Sequence, residues 1–221
     1  MWKWILLAVF YSLNAFANEK ICLPLEPNFW NNSGLPFIAF KGEGRFGAGI
    51  GMNVQYAPIR NLRGALEAKL GKRLMYFRGW NPGGEAHVTV ITPLEYFDIL
   101  KSHVSMEEIA KIARAHRIQT SDLRVQGVGS GRALINDSSE ETYFLLIESR
   151  NIRRFRKAVH TAFVAKGGNP SAWNPDHYFP HVTIGFTQRD LHESDGVLKD
   201  ARNSLDRRFR IAPGQCNSSE R

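Results

Sequence analysis

A four-residue pattern occurs once in each half of the chain, at residues 87–90 and 181–184: histidine, valine, threonine and a second β-branched residue. β-Branched residues favour strands, and in a strand successive side chains point to opposite faces. Each copy therefore predicts a strand that buries two branched aliphatic side chains on one face and displays an imidazole and a hydroxyl on the other. Both copies also follow turn-rich stretches, at residues 81–84 and 174–176.

If the two strands face each other, one cleft is lined by His87, Thr89, His181 and Thr183. Imidazole titrates near neutral pH, so one histidine can accept a proton while the other donates one. The two hydroxyls can hydrogen-bond oxygens on which negative charge develops. We interpret this set as suited to an in-line displacement at phosphorus. The alternative is that each His-x-Thr is a chance feature of a strand, which is common for one copy and much less so for two.

The paired motifs resemble those of the 2H phosphoesterase superfamily. Residues 141–149, a basic helix and then residues 178–186 (Tyr-Phe-Pro-His-Val-Thr-Ile-Gly-Phe) resemble the strand, helix and PHxTxG strand of that family. The resemblance extends over residues 35–205 and is specific around the two motifs. It implies His87 and His181 as the catalytic residues, and Thr89 and Thr183 as the residues that bind phosphate.

The fold predicted from both the resemblance and the loosely repeated order of elements is α+β. It has two pseudo-symmetric lobes, each an antiparallel sheet with helices packed outside, and an active-site cleft between them. Helices are predicted at residues 58–70, 94–101, 106–116, 152–166 and 191–205, and strands at residues 35–40, 52–56, 73–77, 86–92, 123–128, 132–135, 142–148 and 178–186.

The function that the resemblance implies is a metal-independent phosphodiesterase that hydrolyses a 2′,3′-cyclic phosphate or a related phosphodiester of RNA or nucleotides. It needs no cofactor, takes RNA ends or small nucleotides as substrates, and works as a monomer without a stable protein partner. One alternative is a 2′,5′-oligonucleotide or cyclic dinucleotide phosphodiesterase with the same four residues. Another is a non-catalytic nucleotide- or RNA-binding protein, although a binder has no need of two titratable imidazoles.

Recognition of a base requires aromatic or arginine side chains at the mouth of the cleft. Trp173, Tyr178 and Phe179 precede the second motif, and Trp80 precedes the first. Alternation along the strand places Phe179 on the same face as His181. We therefore treat these aromatic residues as candidates for stacking on the substrate, with core packing as the alternative for each.

The first 17 residues have the composition of a secretory signal peptide, with Lys3, an apolar run at residues 5–13 and the small residues Ala15 and Ala17 around a cleavage site. The run is shorter than the about 20 residues of a membrane-spanning helix. Cleavage predicts an exported protein, periplasmic or secreted, without a membrane span; an uncleaved anchor is the alternative. The rest divides into an N-terminal extension (18–34), the bilobal domain (35–205) and a C-terminal tail (206–221).

Cys22 and Cys216 lie near the two ends of the exported chain. An oxidising compartment favours pairing of two such thiols. We predict a disulfide that ties the termini together, with two separate thiols as the alternative.

The net charge is +8, and a basic excess favours polyanionic partners. Arginine and lysine residues cluster on one predicted helix and near the C-terminus: Arg150, Arg153, Arg154, Arg156 and Lys157 on the helix, and Arg202, Arg207, Arg208 and Arg210 near the C-terminus. Each cluster is either a substrate contact or a solvated face.

No CxxC or HExxH motif is present, so no metal is implied. Residues 42–47 match G-x-G-x-x-G, but no helix follows them, so no nucleotide cofactor is assigned.

Overall fold

A computed structural model describes residues 19–41, 44–45, 48–77 and 85–216. The predicted signal peptide and Trp80 lie outside the described residues, as does most of the glycine-rich match at residues 42–47. Within the described part of the chain, no helix has both the length and the apolar character that a membrane span requires.

The described residues form strands and helices in a mixed order along the chain. The strands are β1 (Ile21–Leu25), β2 (Ile38–Lys41), β3 (Ala48–Val54), β4 (Ala86–Ile91), β5 (Arg124–Ile135), β6 (Ser138–Glu148), β7 (His181–Phe186) and β8 (Phe209–Pro213). The helices are α1 (Tyr56–Leu70), α2 (Met106–Ala115), α3 (Arg150–Ala165) and the single turn α4 (Ala201–Ser204), with a π-helical turn at Glu95–Ile99.

The strands form two antiparallel sheets, in the orders β2-β3-β4 and β5-β6-β7, and a parallel pair, β1-β8. With the helices, this arrangement confirms the predicted α+β fold of two lobes. The two motif strands, β4 and β7, come last in the strand orders of their sheets. Their Cα atoms approach within 8 Å of each other, so the fold brings the two halves of the chain together at the motifs.

Burial of the aliphatic side chains follows the alternation predicted for the motif strands. Val88 and Val90 of β4 and Val182 and Ile184 of β7 are fully buried in one core cluster that includes the apolar side of α1. This packing fixes which way each strand faces, because a shift of one residue would expose the branched side chains. The polar side chains of both motifs are consequently held on the opposite faces.

The N-terminal extension and the C-terminal tail meet, since β1 pairs in parallel with β8. Cys22 lies within β1 and forms a disulfide with Cys216, which follows β8; their Cα atoms are 6.0 Å apart. The predicted disulfide is thus confirmed.

Several predictions of secondary structure were wrong. Residues 73–77 form only an isolated bridge, between Met75 and Phe186. Residues 123–128 and 132–135 belong to one continuous strand, because the glycines between them let it pack closely: a Cβ on Gly129 would lie 2.2 Å from the Phe144 ring. Residues 191–205 are mostly irregular, since Gly196 adopts a left-handed conformation that interrupts a helix. Strands β1 and β8 were not predicted.

Candidate active site

The polar faces of the two motif strands have different exposure. On β4, both His87 and Thr89 are half-buried. On β7, His181 is half-buried, whereas Thr183 is buried. The structure therefore leaves three of the four predicted residues accessible in part and places the fourth beneath the surface.

Direct contacts connect the two motifs. The hydroxyl of Tyr178, three residues before His181, donates to the main-chain carbonyl of Thr89 at 2.9 Å. Phe77 stacks near His87, with 6.5 Å between ring centroids, and contacts Phe186 at the end of β7. The carboxylate of Asp190 acts electrostatically on both imidazoles. The structure thus brings the two histidines into one electrostatically coupled region.

The tautomer of His181 is set by its neighbours. Its Nδ1 lies 2.8 Å from the carbonyl oxygen of Phe179. A carbonyl oxygen only accepts, so Nδ1 carries the proton and Nε2 keeps its lone pair. Lys199 Nζ lies 3.2 Å from Nε2 and donates to it. In this state His181 is neutral, with a basic atom that faces an ammonium group.

Lys199 and Asp190 form a buried ion pair beside His181. Lys199 is 4% exposed and Asp190 6% exposed. Lys199 Nζ donates to both carboxylate oxygens at 2.8 Å, so with His181 all three of its N–H bonds are used. Thr142 and Thr183 also donate to the carboxylate of Asp190, at 2.5 and 3.1 Å. A pair with this many hydrogen bonds satisfies the condition under which charges are tolerated in a protein interior.

These surroundings shift the pKa values of the site. Burial lowers the pKa of His181, the positive charge of Lys199 lowers it further, and Asp190 opposes both effects. Burial also lowers the pKa of His87, again opposed by Asp190. Burial disfavours ionisation of Asp190, but Lys199 and the hydrogen bonds outweigh it and lower the pKa of the carboxyl group. At neutral pH the described site therefore holds one anion, one cation and two neutral imidazoles.

The two threonines differ in where their hydroxyl protons point. The proton of Thr183 is donated to Asp190, so this hydroxyl supports the ion pair in the structure. Among the described residues, the Thr89 hydroxyl has no hydrogen-bond partner, which leaves it available as a donor.

The aromatic candidates for stacking also differ. Tyr178 and Trp173 are buried, and the Trp173 indole N–H donates to Glu95 at 3.0 Å. Phe179 is half-buried and meets the ring of His177 edge-on, with 4.9 Å between centroids. Of these three residues, Phe179 is the one with accessible surface near His181.

A buried arginine holds the elements around the site together. Arg156 of α3 is 0% exposed. Its guanidinium donates to the carbonyl of Val90 on β4 at 2.8 Å, to the carbonyl of Pro175 at 2.9 Å and to the carboxylate of Glu95 at 2.7 Å. It therefore joins the first motif strand to the loop that leads into the second.

Replacing Arg156 by methionine is expected to lower the free energy of unfolding by about 3 kcal/mol, because Glu95 would be left largely buried without its partner. Urea unfolding followed by circular dichroism measures the loss. The matched control is Lys157→Met on the same helix, whose exposed side chain pairs with Asp176 at 3.3 Å; its expected change is within about 0.5 kcal/mol. Equal stability of the two variants would show that the Arg156 network contributes little.

Sequence reasoning missed Asp190 and Lys199. The predicted helix at residues 191–205 includes Lys199 but not Asp190, and the sequence pattern assigns neither residue to the site. The one signal in the sequence is that Lys199 follows Val197 and Leu198, an apolar pair that indicates a buried segment.

Among the described residues, no group of three or more histidine, cysteine or acidic side chains is arranged to hold a metal ion.

Comparison with known proteins supplies the family. The family model described as Swiss Army Knife, 2H phosphoesterase domain, matches residues 48–192, which is more than half of the chain and includes both motifs and Asp190. Lys199 lies beyond the matched residues. Searches of curated proteins and of solved structures found no match. The match confirms the resemblance seen in the sequence: the chain belongs to the 2H phosphoesterase superfamily.

Proposed function

We propose that the protein is a metal-independent phosphodiesterase that hydrolyses a 2′,3′-cyclic phosphate, or a related phosphodiester of RNA or nucleotides, by acid/base catalysis with His87 and His181. Membership of the family supports a phosphodiesterase-type activity in general. The observation that carries the finer proposal is that the two strands bearing the imidazoles, β4 and β7, approach within 8 Å and are joined by the hydrogen bond from Tyr178 to the carbonyl of Thr89.

Charge balance explains how two neutral histidines supply one acid and one base. Asp190 and Lys199 cancel each other, so the site is neutral when both imidazoles are neutral. A phosphodiester brings one negative charge, which favours uptake of one proton by an imidazole. Binding of substrate therefore creates the state that acid/base catalysis needs, with one protonated and one neutral histidine.

The surroundings of His87 and His181 indicate which one acts as the acid and which as the base. Lys199 lies 3.2 Å from Nε2 of His181 and disfavours a proton there. The negative charge of Asp190 favours a proton on His87, although burial lowers the pKa of this residue. We therefore assign His87 as the general acid and His181 as the general base.

In the proposed reaction, His181 Nε2 takes a proton from water as the water oxygen bonds to phosphorus. The bond from phosphorus to the departing ribose oxygen breaks, and His87 gives that oxygen a proton. Once Nε2 is protonated, Lys199 loses its acceptor there, and the released N–H can be donated to a phosphate oxygen. The Thr89 hydroxyl supplies a second donor to the developing charge. Thr183 can also contribute if its hydroxyl turns away from Asp190.

Replacing Lys199 by methionine is expected to shift the acidic limb of the kcat/KM profile upward by about 1 to 3 pH units, because a cation that lowers the pKa of His181 is removed. Activity is then lost at acidic pH, where His181 becomes protonated. The pH profiles of the parent, Lys199→Met and the charge-conserving Lys199→Arg measure this. Because Lys199→Met leaves Asp190 buried alone, the Asp190→Asn/Lys199→Met double variant is compared as well. An acidic limb unchanged in both methionine variants would contradict the role given to Lys199.

A substrate panel tests the bond that is cleaved. It contains nucleoside 2′,3′-cyclic monophosphates, a short RNA that ends in a 2′,3′-cyclic phosphate, a 2′,5′-linked oligoadenylate and a cyclic dinucleotide. The proposal expects the highest kcat/KM on the 2′,3′-cyclic phosphates. Preference for the 2′,5′-linked or cyclic dinucleotide substrates would reassign the substrate. Tight binding of nucleotides without turnover would instead favour a binding protein.

We also propose that the protein acts outside the cytoplasm, as a monomer. The disulfide between Cys22 and Cys216 supports this location, because such bridges form and persist in oxidising compartments. Cell fractionation with the tagged full chain tests it, and recovery of the reduced protein in the cytoplasm would contradict it.

A further inference from the structure

A second concave region lies at the outer edge of the sheet that carries the second motif. It is a groove of about 870 Å³ between the start of β5, the N-terminal turn of α3 and β8. None of the residues that line it belongs to the two His-x-Thr motifs or to the pair of Asp190 and Lys199. The catalytic site therefore does not account for this groove.

The groove is where basic residues from separate parts of the sequence meet. Six basic side chains line it against three acidic ones: Lys20, Arg124, Arg150, Arg154, Arg207 and Arg210 against Asp122, Glu148 and Asp206. Two of the three carboxylates are already paired, Glu148 with Arg124 and Asp206 with Arg208. The lining thus has a net positive charge.

Several of these cations are available to a ligand. Lys20, Arg150, Arg154 and Arg207 are exposed. Across residues 19–41, 44–45, 48–77 and 85–216, no carboxylate lies within 4 Å of any of these four side chains. An unneutralised group of cations in a groove attracts polyanions and forms contacts with phosphate groups.

One wall of the groove also offers an aromatic face. Trp30 lines it and is 40% exposed. Its indole N–H donates to the carbonyl of Leu123 at 3.2 Å, which fixes the orientation of the ring. Cations along a groove together with an exposed aromatic ring are the combination that binds single-stranded nucleic acid, because phosphates meet the cations while a base stacks on the ring.

The register of the sheet relates the groove to the catalytic site. Gly127, which lines the groove, pairs with Leu146 on β6, and Leu146 pairs with His181 on β7. Adjacent strands are about 4.8 Å apart, so the inner end of the groove is about 10 Å from the main chain of His181. One polyanionic chain is long enough to occupy both places.

We propose that this groove binds the phosphate backbone of a single-stranded nucleic acid whose end occupies the catalytic site. This inference rests on the proposed function and narrows its substrate class to oligonucleotide ends, in preference to free mononucleotides. Arg150, Arg154 and Arg207 contact phosphates, and Trp30 stacks on a base.

Binding is tested with a fluorescein-labelled, single-stranded oligodeoxythymidylate. This probe has no 2′-hydroxyl and no cyclic phosphate, so its binding is measured independently of turnover. The Arg150→Ala/Arg154→Ala/Arg207→Ala variant is expected to bind the oligonucleotide at least about tenfold more weakly than the parent does. A plot of log K against log salt concentration should also become less steep by about 2, because each contact between a cation and a phosphate of a single strand contributes about 0.7 to the slope. The control variant Arg60→Ala/Lys69→Ala/Lys111→Ala removes three exposed cations outside the groove and is expected to bind as the parent does.

Turnover gives a second readout. The triple groove variant is expected to have a lower kcat/KM than the parent on an RNA that ends in a 2′,3′-cyclic phosphate. On a nucleoside 2′,3′-cyclic monophosphate its kcat/KM should equal that of the parent. Equal losses for the groove and control variants would overturn the proposal. A heparin fragment that binds the parent more tightly than the oligonucleotide does, and loses affinity in the groove variant, would overturn the assignment to nucleic acid. Absence of turnover on both substrates with intact oligonucleotide binding would reject the proposed function but not the groove.

Discussion

Removal of the disulfide, by the Cys22→Ala/Cys216→Ala variant, is expected to lower the free energy of unfolding by about 5 kcal/mol. The bridge joins residues separated by 194 positions. Closing a loop of that length removes much conformational entropy from the unfolded chain. The pairing of β1 with β8 in the folded protein does not compensate for the loss of the bridge. Alanine is chosen because Cys22 is buried and a serine hydroxyl would add a separate penalty. Urea unfolding of the oxidised parent and the variant measures the difference.

The reduced parent is the matched control, since it keeps both side chains and lacks only the bond. We expect its stability to equal that of the double alanine variant within about 1 kcal/mol. A reduced parent as stable as the oxidised one would contradict the argument, because the bridge would then place no effective constraint on the unfolded chain.

Single substitution of His87 or His181 by alanine is expected to reduce kcat/KM on a 2′,3′-cyclic phosphate by about 10²- to 10⁴-fold, because each change removes one of the two proposed proton transfers. The two variants should differ on a nucleoside p-nitrophenyl phosphodiester, whose leaving group departs without a proton. There His87→Ala is expected to lose less than about tenfold, while His181→Ala keeps its full loss, since water must still be deprotonated.

The control for this comparison is His177→Ala, which removes an exposed imidazole near the second motif that pairs with Glu193. It should retain the activity of the parent on both substrates. The reverse pattern, in which His181→Ala is the variant rescued by the good leaving group, would exchange the two roles. Equal losses of both variants on both substrates would rule out a division into acid and base.

The parts of the structure that could be predicted from the sequence depend on local rules. Alternation along a strand sets the faces of β4 and β7, because the branched residues beside His87 and His181 must be buried. The apolar stripe of Ile59, Leu62 and Leu66 predicts α1, which begins two residues earlier than expected. The disulfide could be predicted because the chain has only two cysteines.

The parts that could not be predicted depend on contacts between distant segments. Arg156 belongs to a basic cluster that sequence reasoning treats as one set, yet its guanidinium is buried because carbonyls of Val90 and Pro175 surround it. Lys199 reaches His181 because its segment packs on the sheet, with Leu191 and Val197 in one cluster with Phe144 and Leu146 of β6. Arg156 is tolerated by partners on Val90 and Glu95, more than 60 positions away, whereas Lys199 is tolerated by Asp190, nine positions away, in a segment whose path the sequence does not indicate. The meeting of residues from both basic clusters in one groove likewise needs the tertiary structure.

The most direct test of the proposed mechanism is hydrolysis of a nucleoside 2′,3′-cyclic monophosphate and of a short RNA ending in a 2′,3′-cyclic phosphate, in EDTA, by the parent protein and by the His87→Ala/His181→Ala variant. We expect turnover by the parent in the presence of EDTA and none by the double variant, with both proteins folded by circular dichroism. Activity that EDTA abolishes and added zinc or magnesium restores would contradict the proposed mechanism, as would equal activity of the two proteins.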